Sequence, residues 1–271
     1  MDPAADVPLV EYAPMHVEGV LAEASNLTLR VQLVVAGEPS QHRAVYKPVD
    51  GERPLSDFAS GTLASREVAA YRVSEAGGWG LVPRTVLRDG PLGLGSVQEW
   101  KDIAEEQGSR PACGLMDVAR PGEVPPGWLT VLQGEDSLGA PLSVIHRDDP
   151  RLASLATLDA VLNNADRKAA HIAVDDAGAL WGFDHGLIGH VSPKLRTVLW
   201  GWAGQPIPEA DLARLDRLAE ALQEGRGEAD LEGLLSVEER AALSTRLERL
   251  REQARFPEVP HHRYPLPWPL W

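Results

Sequence analysis

The hydrophobic period changes partway along this chain, and that change limits the available folds more than any other feature. Over the first hundred residues the apolar positions recur every second residue. Leu27, Leu29, Val31, Leu33 and Val35 alternate with Thr28, Arg30, Gln32 and Val34, the pattern of a half-buried strand. From about residue 152 the period is helical, with Leu152, Leu155, Leu158, Val161 and Leu162 on one stripe. A chain that does this is expected to be α+β, with a strand-rich lobe over residues 1–102 and a mostly helical lobe over 103–271.

The intervening punctuation fills in the elements. Gly37–Ser40 reads as a turn, followed by a strand Arg43–Lys47 that Pro48 stops. Residues 62–76 read as a helix ended by Gly77 and Gly78. Strands are expected at 84–88 and 94–100, joined through Asp89-Gly90-Pro91. The stretch 104–127 is rich in Gly, Pro and charge and reads as linker and loop. A short strand pair is expected over 171–183, turning at Asp175–Gly178. Two amphipathic helices follow, one marked by Leu212, Leu215, Leu218 and Leu222, the other opening on a capping box at Ser236-Val237-Glu238-Glu239. A Pro/Trp-rich tail, Tyr264–Trp271, either folds back on the helical lobe or docks a protein partner.

Composition removes several function classes. The net charge is −14, without a basic run to offset it, so nucleic acid is not an expected partner. No stretch approaches 18 consecutive apolar residues, so stable membrane insertion is not expected. The first residues lack the basic start and apolar core of a secretory signal, and Cys113 is the single cysteine, which points to the cytoplasm.

The chemistry concentrates in two carboxylates eighteen positions apart. Asp166 lies in Leu162-Asn163-Asn164-Ala165-Asp166-Arg167, after a helix, and Asp184 in Trp181-Gly182-Phe183-Asp184-His185-Gly186, after a short strand. The hairpin between them can bring both to one cleft, although surface loops with solvated aspartates would read the same. Here the chain resembles the phosphatidylinositol 3-/4-kinase-like family, especially the type II 4-kinases, in a bacterial-type branch. It also resembles the HipA-type toxin kinases.

The resemblance implies a two-lobe protein-kinase-like fold, ATP with Mg²⁺ or Mn²⁺, and transfer of the γ-phosphate to a hydroxyl on a protein, small molecule or lipid. Asp166 would be catalytic and Asp184 a metal ligand. Five positions after Asp166 the family pattern has Asn and this chain has His171. An imidazole suits softer metals than an amide oxygen does. His171 is therefore read as a metal ligand of altered preference, as a packed histidine, or as a mark of a nucleotide-binding pseudokinase.

Upstream, Ala44-Val45-Tyr46-Lys47-Pro48 resembles the family's strand lysine, and Lys47 would contact the phosphates. Glu67, in Ser65-Arg66-Glu67-Val68-Ala69-Ala70-Tyr71, is the natural partner of Lys47, or else a solvated helix residue. Gly19, Ser25 and Asn26 would cover the phosphates. The backbone of Gln98, Glu99 and Trp100 would meet the adenine edge, with Trp100 on the pocket wall or in plain core. His146-Arg147-Asp148 copies a protein-kinase triplet but lacks the Asn five residues on and reads as a surface turn. Gly90–Gly95 is expected to be a hairpin turn, and Cys113 has no partner motif for a catalytic thiol.

Overall fold

The computed structural model describes residues 7–21, 25–103, 114–135, 138–225, 227–261 and 264–271. Cys113 and part of the proposed phosphate cover, residues 22–24, lie outside them. A short helix α1 (Leu9–Tyr12) leads into β1 (Met15–Val20), β2 (Leu29–Val35) and β3 (Glu38–Pro48). Helix α2 (Leu63–Gly77) then precedes β4 (Thr85–Gly90) and β5 (Gly93–Glu99). The five strands form one antiparallel sheet in the order β1-β2-β3-β5-β4. Strand β3 is longer than its sequence suggests. It begins at Glu38 and includes Pro39, because the hairpin closes at Ala36-Gly37, where Ala36 and Gly37 both have positive φ.

Alternation along β3 divides the two faces of this sheet. Ala44 and Tyr46 are buried in a cluster with Val10, Ala13, Leu29, Val31, Leu33 and Val97. Val45 and Lys47 therefore point the other way, opposite Gln98 and Ser96 of β5.

Helix α2 is buried along most of its length because it packs on both lobes. Gly78 closes it in the left-handed conformation (φ 75°), which only glycine adopts at no steric cost. Ala69, Ala70 and Val73 join the core of the second lobe. Arg66 donates to the Ile188 carbonyl at 2.6 Å and ion-pairs with Glu239. Just past the helix, Trp79 Nε1 donates to Asp211 Oδ1 at 3.1 Å.

The second lobe opens with a sheet that was not expected. Strands β6 (Met116–Ala119), β7 (Trp128–Glu135) and β8 (Pro141–Arg147) pair antiparallel in the order β6-β8-β7. This corrects the reading of 104–127 as loop. In β8 the residues Ser143 to His146 are all buried, and in β7 only Val131 is, so neither strand alternates. Nor is His146 in a surface turn. It is fully buried at the end of β8, against the Trp202 ring, and its Nε2 accepts from the Gly201 amide at 3.1 Å.

Helix α3 (Pro150–Leu162) starts on Asp149, whose carboxylate accepts from the Arg151 amide at 2.8 Å, with Pro150 in its first turn. Leu152, Leu155, Leu158, Val161 and Leu162 are fully buried, each worth about 1.5–3 kcal/mol of transfer free energy. The hairpin β9 (Ile172–Val174) and β10 (Leu180–Gly182) follows, then α4 (Glu209–Glu224) and α5 (Val237–Gln253). The Ser236–Glu239 capping box is present. The tail folds back on this lobe. Leu266 is buried, Trp200 Nε1 donates to the Pro265 carbonyl at 2.9 Å, and the Ala169 amide donates to the Leu270 carbonyl at 2.9 Å. Among the described residues no helix is long and apolar enough to cross a membrane.

Candidate active site

A cavity of about 460 Å³ opens between the five-stranded sheet, α2 and the segments around Asp166 and Asp184. Most of the residues singled out in the sequence stand on its wall. Ser25, Asn26, Lys47 and Glu67 line it, as do Gln98, Glu99, Trp100, Asp166 and Asp184. Gly19 and His171 do not. Gly19 lies on β1 opposite Arg30, away from the wall.

Lys47 is the electrostatic centre. Its ammonium ion-pairs with the buried Glu67 and donates to Asp184 Oδ1 at 2.9 Å. Burial alone would lower the lysine pKa, but the two carboxylates, Asp184 foremost, outweigh it and raise the pKa. Lys47 in turn holds Asp184 well below the usual carboxylate range. Burial raises Glu67, which is 3% exposed and has a second bond, accepting from the His185 amide at 2.9 Å. Glu67 is thus a core residue, not a solvated helix residue.

The Asp184 carboxylate is 52% exposed and faces the cavity. Its backbone is in the left-handed region (φ 54°), a costly conformation for a residue with a Cβ. The surroundings hold it there. The Phe183 amide donates to the His171 carbonyl at 2.9 Å, and Arg167 Nη1 donates to the Phe183 carbonyl at 2.8 Å.

Arg167 organises both loops, a role the sequence reading did not assign. It is fully buried and doubly bonded to Asp159 of α3, Nε to Oδ2 at 2.8 Å and Nη2 to Oδ1 at 2.9 Å. It also donates to the His171 carbonyl at 3.1 Å, and its Nη2 lies 2.6 Å from His185 Nε2. Burial, then the adjacent guanidinium, lowers the His185 pKa strongly, so this imidazole is neutral and accepts at Nε2. Asn164 completes the support. Its amide donates to Asp159 Oδ1 at 2.9 Å and its Oδ1 accepts from the Asp166 amide at 3.0 Å. The available signal was Asp159 itself, a charge on an otherwise apolar helical stripe.

Asp166 stands beside Lys168, Nζ to Oδ2 3.1 Å. Burial raises its pKa and Lys168 only partly opposes this. His171 Nε2 is 3.4 Å from Asp184 Oδ2. Burial lowers the His171 pKa to about 4, and its buried Nδ1 has no partner among the described residues. Also among the described residues, no three carboxylate, imidazole or thiol groups converge as a metal cage.

At the other end of the cavity two of the backbone amides expected near an adenine edge already have partners. The Glu99 amide donates to the Arg84 carbonyl at 2.8 Å and the Trp100 amide to the Arg43 carbonyl at 3.2 Å. Both belong to the extended β-structure, which continues past Glu99. The Lys101 amide is the next donor along and has no protein partner among the described residues. The Gln98 side chain is held by Thr85 Oγ1 at 2.9 Å. Trp100 is on the wall, with Arg30 at 6.0 Å from its ring centroid.

No family model matches the chain. The crystal structure of the Helicobacter pylori proinflammatory kinase CtkA aligns with 90% of this chain and 93% of that one, at 11% identity and a TM-score of 0.47. The chain is also 44% identical over 260 residues to Protein Rv2133c of Mycobacterium tuberculosis, covering 95% of this chain and 92% of that protein. With that identity across nearly the whole of both chains, this protein belongs to the same family as Rv2133c.

Proposed function

We propose that this protein is an ATP-dependent phosphotransferase of the kinase type, akin to the phosphatidylinositol 3-/4-kinase-like family its motifs resemble. One observation carries the reading: Lys47, tied to Glu67 and Asp184, stands on the wall of a nucleotide-sized cavity that also holds Asp166. Phosphoryl transfer asks for phosphate positioning, charge neutralisation and a carboxylate for the acceptor hydroxyl. Lys47 neutralises phosphate oxygens, oriented by Glu67. Asp166, with its raised pKa, takes the proton of the acceptor hydroxyl. Asp184 fits a divalent cation held by one carboxylate and the phosphates of the substrate, with the neutral His171 imidazole as a second donor. Held by Asp184, such a cation would supply positive charge to offset that of the phosphates. The Lys101 amide is the donor left for the adenine edge. We place the lobe boundary at 102/103. The acidic chain favours a protein or small-molecule hydroxyl over a lipid in an anionic surface.

The test is calorimetric titration of ATP with Mg²⁺ and with Mn²⁺, beside a phosphate-transfer assay. Asp184→Ala is expected to lose metal-dependent nucleotide binding. Asp166→Ala should bind ATP nearly as wild type and transfer no phosphate. Wild-type protein that binds no nucleotide with either cation refutes the proposal. Binding without transfer selects the pseudokinase reading, which the His171 substitution in the metal position favours.

A further inference from the structure

We propose that Arg53 is a second phosphate-binding cation of this site, meeting the β- and γ-phosphates of a bound nucleoside triphosphate. The proposal rests on the kinase reading above and concerns a residue that the motifs do not point to.

Four cationic side chains stand on the cavity wall. Three are already neutralised: Lys47 by Glu67 and Asp184, Lys101 by Glu99 at 2.9 Å, and Lys168 by Asp166 at 3.1 Å. Arg53 is the fourth, and among the described residues its guanidinium has no carboxylate partner. Glu52 adds one further carboxylate to the wall. Even with Arg53 the wall counts four cations against five carboxylates, so beside the divalent cation of the proposed function Arg53 supplies the wall charge that no carboxylate already offsets for a polyanion.

The backbone of Arg53 is held on both sides. The Leu27 amide donates to the Gly51 carbonyl at 3.1 Å, and the Arg53 amide donates to Asn26 Oδ1 at 2.8 Å. Gly51 permits this approach, since a Cβ there would lie 2.5 Å from Leu27 Cβ. On the far side Glu52 Oε1 accepts from the Ala64 amide, in the first turn of α2, at 2.9 Å. The loop is thus fastened to the β1–β2 turn and to α2, which fixes where the guanidinium starts.

Strand β3 gives the direction. Val45 pairs with Gln98, at the adenine end, and Lys47 with Ser96, one step away from it. Past Pro48, which pairs with Gly95, the chain turns through a short 3-10 helix (Val49–Gly51) whose Gly51 carbonyl is held by the Leu27 amide. Arg53 thus shares the cavity wall with Lys47 on the side away from Gln98, the end the proposal gives to the terminal phosphates. A guanidinium presents paired donors that match phosphate oxygens, which an ammonium does not.

The experiment is calorimetric titration of ATP, ADP and AMP into wild type, Arg53→Gln and Arg53→Lys, with the same divalent cation throughout. Arg53→Gln should bind ATP and ADP about tenfold more weakly or worse, the loss of one charge-assisted contact, and AMP as wild type does. Arg53→Lys should recover part of the loss. The side chain is exposed, so the melting temperature of both variants should match wild type. If Arg53→Gln binds ATP with unchanged affinity, or loses AMP by the same factor as ATP, the assignment of Arg53 is wrong while the kinase reading stands. If the wild type binds none of the three, both fall together.

Discussion

Replacing Asp159 by leucine should destabilise this protein more than almost any other single change. Asp159 and Arg167 are both fully buried and share two hydrogen bonds of 2.8 and 2.9 Å. Asp159→Leu adds bulk rather than removing it, so no cavity opens, and any overpacking in this fully buried site adds to the electrostatic cost. It leaves a guanidinium buried without a counter-charge, and removal of one member of such a pair costs about 3–5 kcal/mol. That is a large part of the 5–15 kcal/mol that holds a typical domain folded. The melting temperature should fall by roughly 6–20 °C, at about 2–4 °C per kcal/mol for a chain near this size. Urea unfolding followed by tryptophan fluorescence measures it, with eight tryptophans as reporters. Asp159→Leu/Arg167→Met removes both charges and should be more stable than Asp159→Leu alone. A loss below about 1 kcal/mol in the single variant, or no recovery in the double, would refute the argument. Because Arg167 also holds the carbonyls of His171 and Phe183, the destabilised loop is the one that carries Asp184.

Two further outcomes are expected. Burial lowers the His146 pKa to about 4, below the ordinary 6.5, so between those values the unfolded chain takes up a proton that the folded chain refuses. Its contribution to stability is therefore complete above pH 6.5 and is lost as pH falls towards 4; denaturant titrations at pH 4.5 and 7.5 should show a smaller difference in His146→Gln than in wild type, and an equal difference would exclude the mechanism. His171→Asn replaces an imidazole by an amide oxygen beside Asp184 and should move nucleotide binding from Mn²⁺ towards Mg²⁺, whereas an unchanged preference in paired titrations would remove His171 from the metal shell.

Local pattern was enough for the elements that are buried on one face or carry their own caps. Strand β2 alternates and is half-buried, α3 shows its stripe and starts on Asp149-Pro150, and Ser236 with Glu239 announces α5. Lys47, Glu67, Asp166 and Asp184 stood out in the sequence through the motifs that resemble a kinase family, and they share one cavity wall. The sheet β6-β8-β7 was not. A strand buried on both faces, as β8 is over Ser143–His146, has no period, and one exposed on nearly all sides, as β7 is, has none either. His146 was misread for the same reason, since a polar side chain looks like surface until its partners are known.

By itself, then, the sequence determined the α+β order, the change of period near the middle, and which charged side chains are candidates for a site. Those follow from local sterics and from side-chain chemistry, which a linear string contains. Only the tertiary structure decided which groups remain free to act. Glu67 meets Lys47, 20 positions earlier, because α2 packs on β4 and β5 at the sheet face to which Lys47 points. The Trp100 amide is taken by Arg43, leaving Lys101. Arg167, next to a catalytic candidate in sequence, turns inward to Asp159 and becomes the support for both loops. Three of the four wall cations find carboxylates on distant segments and Arg53 does not. Such pairings depend on distances between residues far apart in the chain, and charge at that range is set by folding, not by composition.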